Sequence, residues 1–366
     1  MTQFSNNSDN YYYHVNGRKT ASKAQALFWA RGQVDQVKFY NIDHVWDTVK
    51  WANEPAKSIN ELCRERCQQL RDTHSWLCLW LSAGYDSQTV LTSFIESGAI
   101  LDEIAFMDRS EYYADPELPA IQTAIEAYKK FINPNLRVRH IKIDAKYTAK
   151  IYSALREQWV MAPGAQSRLS KSSPTFVHQW HDKSPVFTES SLTGRCDIYG
   201  KEKPTLNLVD GHWWVMSIDS KLADSIGSLA TGFYSSPEFV QLEVKQVHLA
   251  MRFFESIPGI THEQVHRIQS NDTVTYQAWN RALGRQAIDT AVSADARTKL
   301  PFVRTVGKPG VTADSVKIAQ HFTAAEARVE SYFSNGYRFM AENSPGADLS
   351  KTIMGKSWYV RPFEAR

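Results

Sequence analysis

Residues Trp76 to Leu81 read WLCLWL, an uninterrupted apolar run. A strand with one wet face alternates apolar and polar residues, so a continuous run marks a strand covered on both faces, as in a parallel sheet. Ser82-Ala83-Gly84-Tyr85-Asp86-Ser87 follows at once. After it Val90, Leu91, Phe94 and Ile95 recur at helical spacing up to Gly98, a helix-ending glycine. A buried strand therefore hands over to a helix through a turn of small residues, hydroxyls and one carboxylate.

The pattern around this unit alternates in the same way. Ser58-Ile59-Asn60-Glu61 is a capping box, and Ile59, Leu62, Cys63, Cys67 and Leu70 continue on one helical face. Glu103–Met107 reads as a second strand ending at Asp108. Asp115-Pro116 opens a helix with Leu118, Ile121, Ile125, Tyr128 and Ile132 on its apolar side. Val138–Ile143 is a third strand, 147–160 a helix, 163–175 a breaker-rich loop, and Pro185–Glu189 a fourth strand followed by a loop through Lys203. This alternation predicts an α/β fold, a parallel sheet with helices on both faces.

Three segments are expected. Residues 1–52 form a small N-terminal α+β module, with a strand, a turn at Asn16-Gly17 and a short helix. Residues 53–235 form the α/β domain, with a hairpin insertion turning at Asp210-Gly211. Residues 236–366 form a mostly helical C-terminal extension, opened by an amphipathic helix over 237–257 and ending in the aromatic tail KSWYVRPF.

Composition narrows the function classes. The 366 residues carry 42 basic and 39 acidic side chains, a formal net charge of +3, which argues against a whole-chain field for nucleic acid without excluding a local basic face. No apolar run approaches the length of a membrane span, and the N-terminus lacks the charged and apolar regions of a signal peptide, so a cytoplasmic protein is expected. The four cysteines, Cys63, Cys67, Cys78 and Cys196, contain no CxxC pair and read as buried free thiols. His178, His181, His262 and His266 have spacings that metals use but lack a cysteine or carboxylate partner in sequence, and read as ordinary histidines. Trp213-Trp214 reads as packing.

The turn after the first strand is the favoured phosphate site of an open α/β sheet. The helix beginning near Ser87 offers unpaired N–H groups and the positive end of its dipole. Gly84 lets backbone approach closely, and Ser82 and Ser87 can donate to phosphate oxygens. Asp86 repels a bare phosphate; its natural partner is Mg²⁺ carried by a nucleotide. The common alternatives do not fit. The nearest approach to G-x-x-x-x-G-K-[ST] is Gly194…Gly200-Lys201, with five intervening residues and Glu202 in place of the hydroxyl, and G-x-G-x-x-G is not matched.

Ser82-Ala83-Gly84-Tyr85-Asp86-Ser87 resembles the SGGxDS signature of the PP-loop, or N-type ATP pyrophosphatase, superfamily of adenine nucleotide alpha-hydrolase-like (HUP-like) folds. Asparagine synthetase, GMP synthetase, NAD synthetase and lysidine synthetase are members. Six positions carry the likeness, and the pattern extends over roughly residues 58–200; Ala83 departs, standing where the family has its first glycine. The layout is closest to the asparagine-synthetase-like branch and to bacteriophage-encoded members, which would place the chain in a host cytoplasm.

The resemblance implies an enzyme that binds ATP and Mg²⁺ and adenylates a small-molecule substrate, a carboxylate, amide or nucleobase, which a nitrogen nucleophile then attacks. Ser82, Ala83, Gly84, Tyr85, Asp86 and Ser87 would hold the pyrophosphate, with Asp86 positioning the metal. Met107 and Asp108 would lie near adenine and ribose. Thr193 and Gly194 would form the later family loop; Asp86, Arg195, Lys201 and Lys203 would be the catalytic groups, the two lysines neutralising charge as pyrophosphate leaves.

Amidotransferase members of the family carry a glutaminase domain with a nucleophilic cysteine, at the N-terminus in asparagine synthetase. Here Thr2 follows Met1 and the first cysteine is Cys63, so ammonia or an amine would come free or from a donor partner. Two further kinds of member, the tRNA-thiolating enzymes and 7-cyano-7-deazaguanine synthase, use paired catalytic cysteines and a zinc-binding cysteine set, and the cysteine spacing here offers neither. The alternatives are a nucleotide-binding protein without catalysis, Ala83 marking the loss, and a nucleic-acid-modifying enzyme on the same fold.

Overall fold

The protein, described as a computed structural model, is defined over residues 11–20, 23–41, 43–108, 118–142, 194–200, 203–218, 230–269, 273–285, 342 and 359–365. The expected elements at Asp115-Pro116, 147–160, 163–175 and Pro185–Glu189 lie outside these residues, as do His178 and His181.

The chain opens with β1 (Tyr11–Val15) and β2 (Arg18–Thr20), α1 (Lys23–Trp29), β3 (Lys38–Asn41) and α2 (Asp43–Trp46). The turn between β1 and β2 falls at Asn16 and Gly17, both with positive φ. Then come α3 (Ile59–Thr73), β4 (Trp76–Trp80), α4 (Tyr85–Ser97), β5 (Glu103–Asp108), α5 (Leu118–Phe131) and β6 (Arg137–Lys142). The expected capping box is present: Ser58 accepts from the Glu61 amide, and the Glu61 side chain accepts from the Ser58 amide. Gly98 ends α4 in the left-handed region, as its place in the sequence predicts.

After these lie β7 (Arg195–Tyr199), the hairpin of β8 (Leu206–Val209) and β9 (His212–Ile218), and β10 (Ala230–Gly232). Helices α6 (Val240–Glu255), α7 (His262–Gln269) and α8 (Thr273–Ala282) follow, and β11 (Tyr359–Glu364) comes last. The C-terminal region is therefore not only helical. Its aromatic tail forms β11, which pairs antiparallel with β9.

A five-stranded sheet in the order β10-β7-β4-β5-β6 organises the α/β part, and every neighbouring pair in it is parallel. The sequence predicts a loop at 195–199, whereas the chain forms β7 there, beside the central β4. Arg195 and Asp197 interrupt the apolar pattern that would have revealed a buried strand. The described helices α3, α4 and α5 pack on one face of this sheet, in a core with Leu77, Leu79, Ile104, Phe106, Cys196 and Ile198. The opposite face carries Cys78, Trp80, Ala105 and Tyr199, so the expectation of helices on both faces is met on one face by the described residues.

A second core joins segments far apart in sequence. Tyr13, Val15, Leu27 and Trp46 from the N-terminal part pack with Leu206, Trp213 and Val215 of the hairpin, with Val247 and Phe254 of α6, and with Trp279 of α8. The N-terminal elements, the hairpin and the C-terminal helices thus share one interior instead of falling into three successive modules. Trp213 stacks on Phe254 and donates to Glu255, in keeping with a packing role. Helix α6 forms a common wall, giving Leu242 to the first core and most of its apolar face to the second.

Candidate functional site

From β4 the chain runs to β5 and β6 on one side, then returns to β7 on the other. Strand order reverses between β4 and β7, and ligands of open α/β sheets bind at the carboxyl ends of the strands at such a point. The turn Leu81–Gly84 leaves β4 there. Gly200 and Lys203 leave β7 beside it.

The turn is held by its own hydroxyls. Ser87 donates to the Ser82 carbonyl at 2.8 Å and accepts from the Ser82 amide at 3.0 Å, and the two hydroxyl oxygens lie 2.9 Å apart. Gly84 is the N-cap of α4 with φ −71°, an extended conformation, and no side chain caps the helix. Its hydrogen atom in place of a methyl leaves Ser82 Oγ room, since a Cβ would sit 3.3 Å away. Ala83 is not among the residues with positive φ, and its methyl is buried against the helix-layer core. Gln88, one turn into α4, donates to the Ala83 carbonyl at 3.1 Å.

Asp86 lies in the first turn of α4, and charge converges on it. Lys203 Nζ stands 2.7 Å from Asp86 Oδ2, and Arg285 Nη1 stands 3.8 Å from Oδ1. The Tyr234 hydroxyl, at the end of β10, donates to the Asp86 carbonyl at 3.1 Å. Gly200 makes this closeness feasible, because a Cβ there would fall 2.5 Å from Val90 Cγ2 and 3.3 Å from the Asp86 carbonyl oxygen. One carboxylate and two cations leave a net positive charge beside the positive end of a helix dipole, a field suited to an anion.

The other expected site residues separate into three groups. Met107 and Asp108 end β5 at the same edge of the sheet, and His140 Nε2 lies 2.8 Å from Asp108 Oδ2 while its ring stacks on Phe106. Lys201 and Thr193 lie outside the described residues. Arg195 and Gly194 lie at the opposite end of the sheet from the turn after β4. Arg195 pairs in register with Trp76 at the start of β4, roughly 13 Å along the strand from Tyr199 at about 3.3 Å per residue. Gly194 packs against Ser75, where a Cβ would lie 2.4 Å from its hydroxyl oxygen.

Arg195 has a different task. Its guanidinium donates to both oxygens of Glu103, at 3.0 and 3.3 Å, and to Asp197 at 3.0 Å. Arg139 adds an ion pair to Glu103 at 2.7 Å. Burial by itself would raise the Glu103 carboxyl; the hydrogen bond from Arg195 and the charges of Arg139, Arg195 and Arg137 outweigh it and hold the group below its ordinary range. A buried carboxylate is tolerated only when paired in this way. Arg195 is thus engaged in a buried ion-pair cluster with Glu103, Asp197 and Arg139.

Among the described residues no group of three or more His, Cys, Asp or Glu could hold a metal ion. His262 and His266 sit on α7 outside any such group. The donor set at the switch point, one carboxylate beside cations, suits Mg²⁺ that arrives on phosphates instead of a metal caged by protein. The four cysteines are free and buried; burial pushes the Cys63 thiol up to about 11 and the Cys196 thiol to about 12, so neither is a ready nucleophile. A groove of about 490 Å³ between α3 and α4, lined by Arg64, Gln68 and Glu96, lies on the outside of the helix layer and does not include the switch-point residues. No helix among the described residues is long and apolar enough to cross a membrane.

Tyr234 and Arg285 are the site residues that sequence reasoning missed. The one available signal was Gly284 just after a helical pattern, since a residue following a helix-ending glycine has its direction set by the backbone. No family model matches the chain, and no curated protein matches it.

Proposed function

We propose that the protein is an ATP-dependent adenylating enzyme of the PP-loop type. It would convert ATP to AMP and pyrophosphate while activating a small carboxylate, amide or nucleobase for a nitrogen nucleophile. The observation that carries this reading is the pairing of Asp86 in the first turn of α4 with Lys203 from the end of β7, 2.7 Å apart where strand order reverses. Helix dipole, small-residue turn, one carboxylate and a lysine cation are parts suited to a magnesium–triphosphate.

In this reading the first-turn amides of α4 and the Ser82 hydroxyl bind the β,γ-pyrophosphate, Ser87, whose one proton goes to the Ser82 carbonyl, shapes the turn, and Asp86 would hold the Mg²⁺ that the pyrophosphate carries. Bound Mg²⁺ neutralises phosphate charge. Substrate oxygen attacks the α-phosphorus as the bond to pyrophosphate breaks, and the nitrogen nucleophile then displaces AMP. Lys203 transfers its charge from Asp86 to the departing pyrophosphate. Met107 and Asp108 border the nucleoside. The negative φ of a loop without left-handed strain favours a working enzyme over a binding protein crippled by Ala83.

Release of pyrophosphate from Mg–ATP, assayed across pooled amino acids and nucleobases, tests the reading. Asp86→Ala should abolish release. Lys203→Met should lower kcat by about 10²- to 10³-fold, the usual cost of losing one charge-stabilising group, with a smaller change in KM. Undiminished turnover in Asp86→Ala would remove the site assignment, and a wild-type protein that neither binds Mg–ATP nor releases pyrophosphate would remove the function.

A further inference from the structure

Arg285 reaches the switch point from the other core. Helix α8 contributes Trp279, and Leu283 follows it, to the interior shared by the N-terminal sheet and the hairpin. The helix ends with the hydrogen bonds of a Schellman turn: the Arg285 amide donates to the Asn280 carbonyl at 2.9 Å, and the Gly284 amide to the Arg281 carbonyl at 2.9 Å. Gly284 has φ +73°, and a Cβ on it would lie 2.7 Å from Ile59 Cγ2 at the start of α3. Backbone geometry and this close approach together fix where residue 285 points.

Its guanidinium is fully buried. Cζ lies 3.0 Å from the centroid of the Tyr234 ring, Nη2 donates to Gln246 Oε1, and Nη1 faces Asp86 Oδ1 at 3.8 Å. Gln246 also donates to the Tyr234 carbonyl at 3.1 Å, so helix α6 braces the same frame. The two cations on Asp86 therefore differ. Lys203 is partly exposed, on a flexible stem, and can leave Asp86 for an arriving anion. Arg285 has no exposure, a planar group stacked on an aromatic ring, and stays.

We infer that Arg285 is a positioning residue of the proposed nucleotide site: it holds the Asp86 carboxylate in place for phosphate-borne Mg²⁺ while Lys203 moves to the phosphates. The inference rests on the reading of the loop as a nucleotide site. It gives the C-terminal helices a part in that site, because the guanidinium is in place only when α8 is docked on α3.

Two calorimetric titrations, one with Mg²⁺ at fixed ATP and one with ATP in EDTA, test it on wild type, Arg285→Met and Arg285→Lys. Arg285→Met should raise the Mg²⁺ concentration at half-saturation by about tenfold, while metal-free ATP binding changes by less than about twofold. Arg285→Lys keeps a charge but loses the fork and the stacking, and should fall between the two. A purely structural role would weaken both titrations alike, and that result overturns the inference, as does wild-type Mg²⁺ dependence in both variants. Should Arg285→Met fail to fold by circular dichroism, Arg285→Lys carries the same comparison. Wild-type protein that binds no Mg–ATP sinks the site reading itself, whereas indifferent variants of a binding wild type sink this inference alone.

Discussion

At position 83 the methyl group packs into the helix-layer core with only 1% of the residue exposed, and the backbone there stays out of the left-handed region. A glycine at this place would therefore gain nothing from its conformational freedom and would lose buried surface. Ala83→Gly should lower stability by about 1 kcal/mol, from the lost methyl contact and the greater freedom of the unfolded chain. Urea unfolding reads the sign directly: a more stable variant would mean that the loop needs a glycine geometry. The same scale separates Lys203 from Arg195. Both are candidate catalytic cations in sequence, and strand register places them apart: Arg195 sits opposite Trp76, and Lys203 lies beyond Gly200, 2.7 Å from Asp86.

Among the elements, β7 has the largest consequence for the site. It lies between β4 and β10, and its alternation of Cys196 and Ile198 with Arg195 and Asp197 puts an apolar row on the helix side and charges on the other. Those charges are compensated by Glu103 of β5 and Arg139 of β6, on the far side of β4, which no local pattern announces. Where β7 ends, Gly200 abuts α4. Gly200→Ala would place a methyl 2.5 Å from Val90 Cγ2 and force the two elements apart. Overpacking of this kind costs about 1–3 kcal/mol. The expected outcome is a lower unfolding midpoint together with weaker Mg–ATP binding, because the first turn of α4 moves with Val90; full affinity in a destabilised variant would show that the turn is insensitive to its neighbour.

Over the whole molecule, two cores meet along α6, and ion pairs tie the chain between them. Glu54, in the link that leads to α3, lies 2.6 Å from Lys245 and 2.6 Å from Arg252, both on α6. The hydrogen bond from Arg252 leads in holding its carboxyl down; burial opposes this, and Lys245 adds to the lowering, so that the group falls from 4.5 to about 2. A carboxyl depressed in the folded state stabilises the fold above its unfolded value and loses that contribution as pH falls toward the folded one. Glu54→Gln should thus melt below wild type at pH 7. The gap should narrow as pH drops through 4.5 and close near pH 2. A gap independent of pH across a series of thermal melts would assign the loss to packing instead. The pair is partly exposed and weakens in salt.

What could be read before folding was local. The capping box at Ser58, the left-handed end at Gly98, the buried run before Ser82 and the turn at Asp210-Gly211 each depend on interactions within a few residues, so the sequence alone determined them. The α/β class followed from their alternation. The strand order, the identity of β7, the shared second core and the convergence of Lys203, Tyr234 and Arg285 on Asp86 were decided by tertiary structure. Lys203, Tyr234 and Arg285 each lie more than a hundred residues from Asp86, and a charge that is costly to bury becomes acceptable only once the opposite charge has been brought to it by the fold.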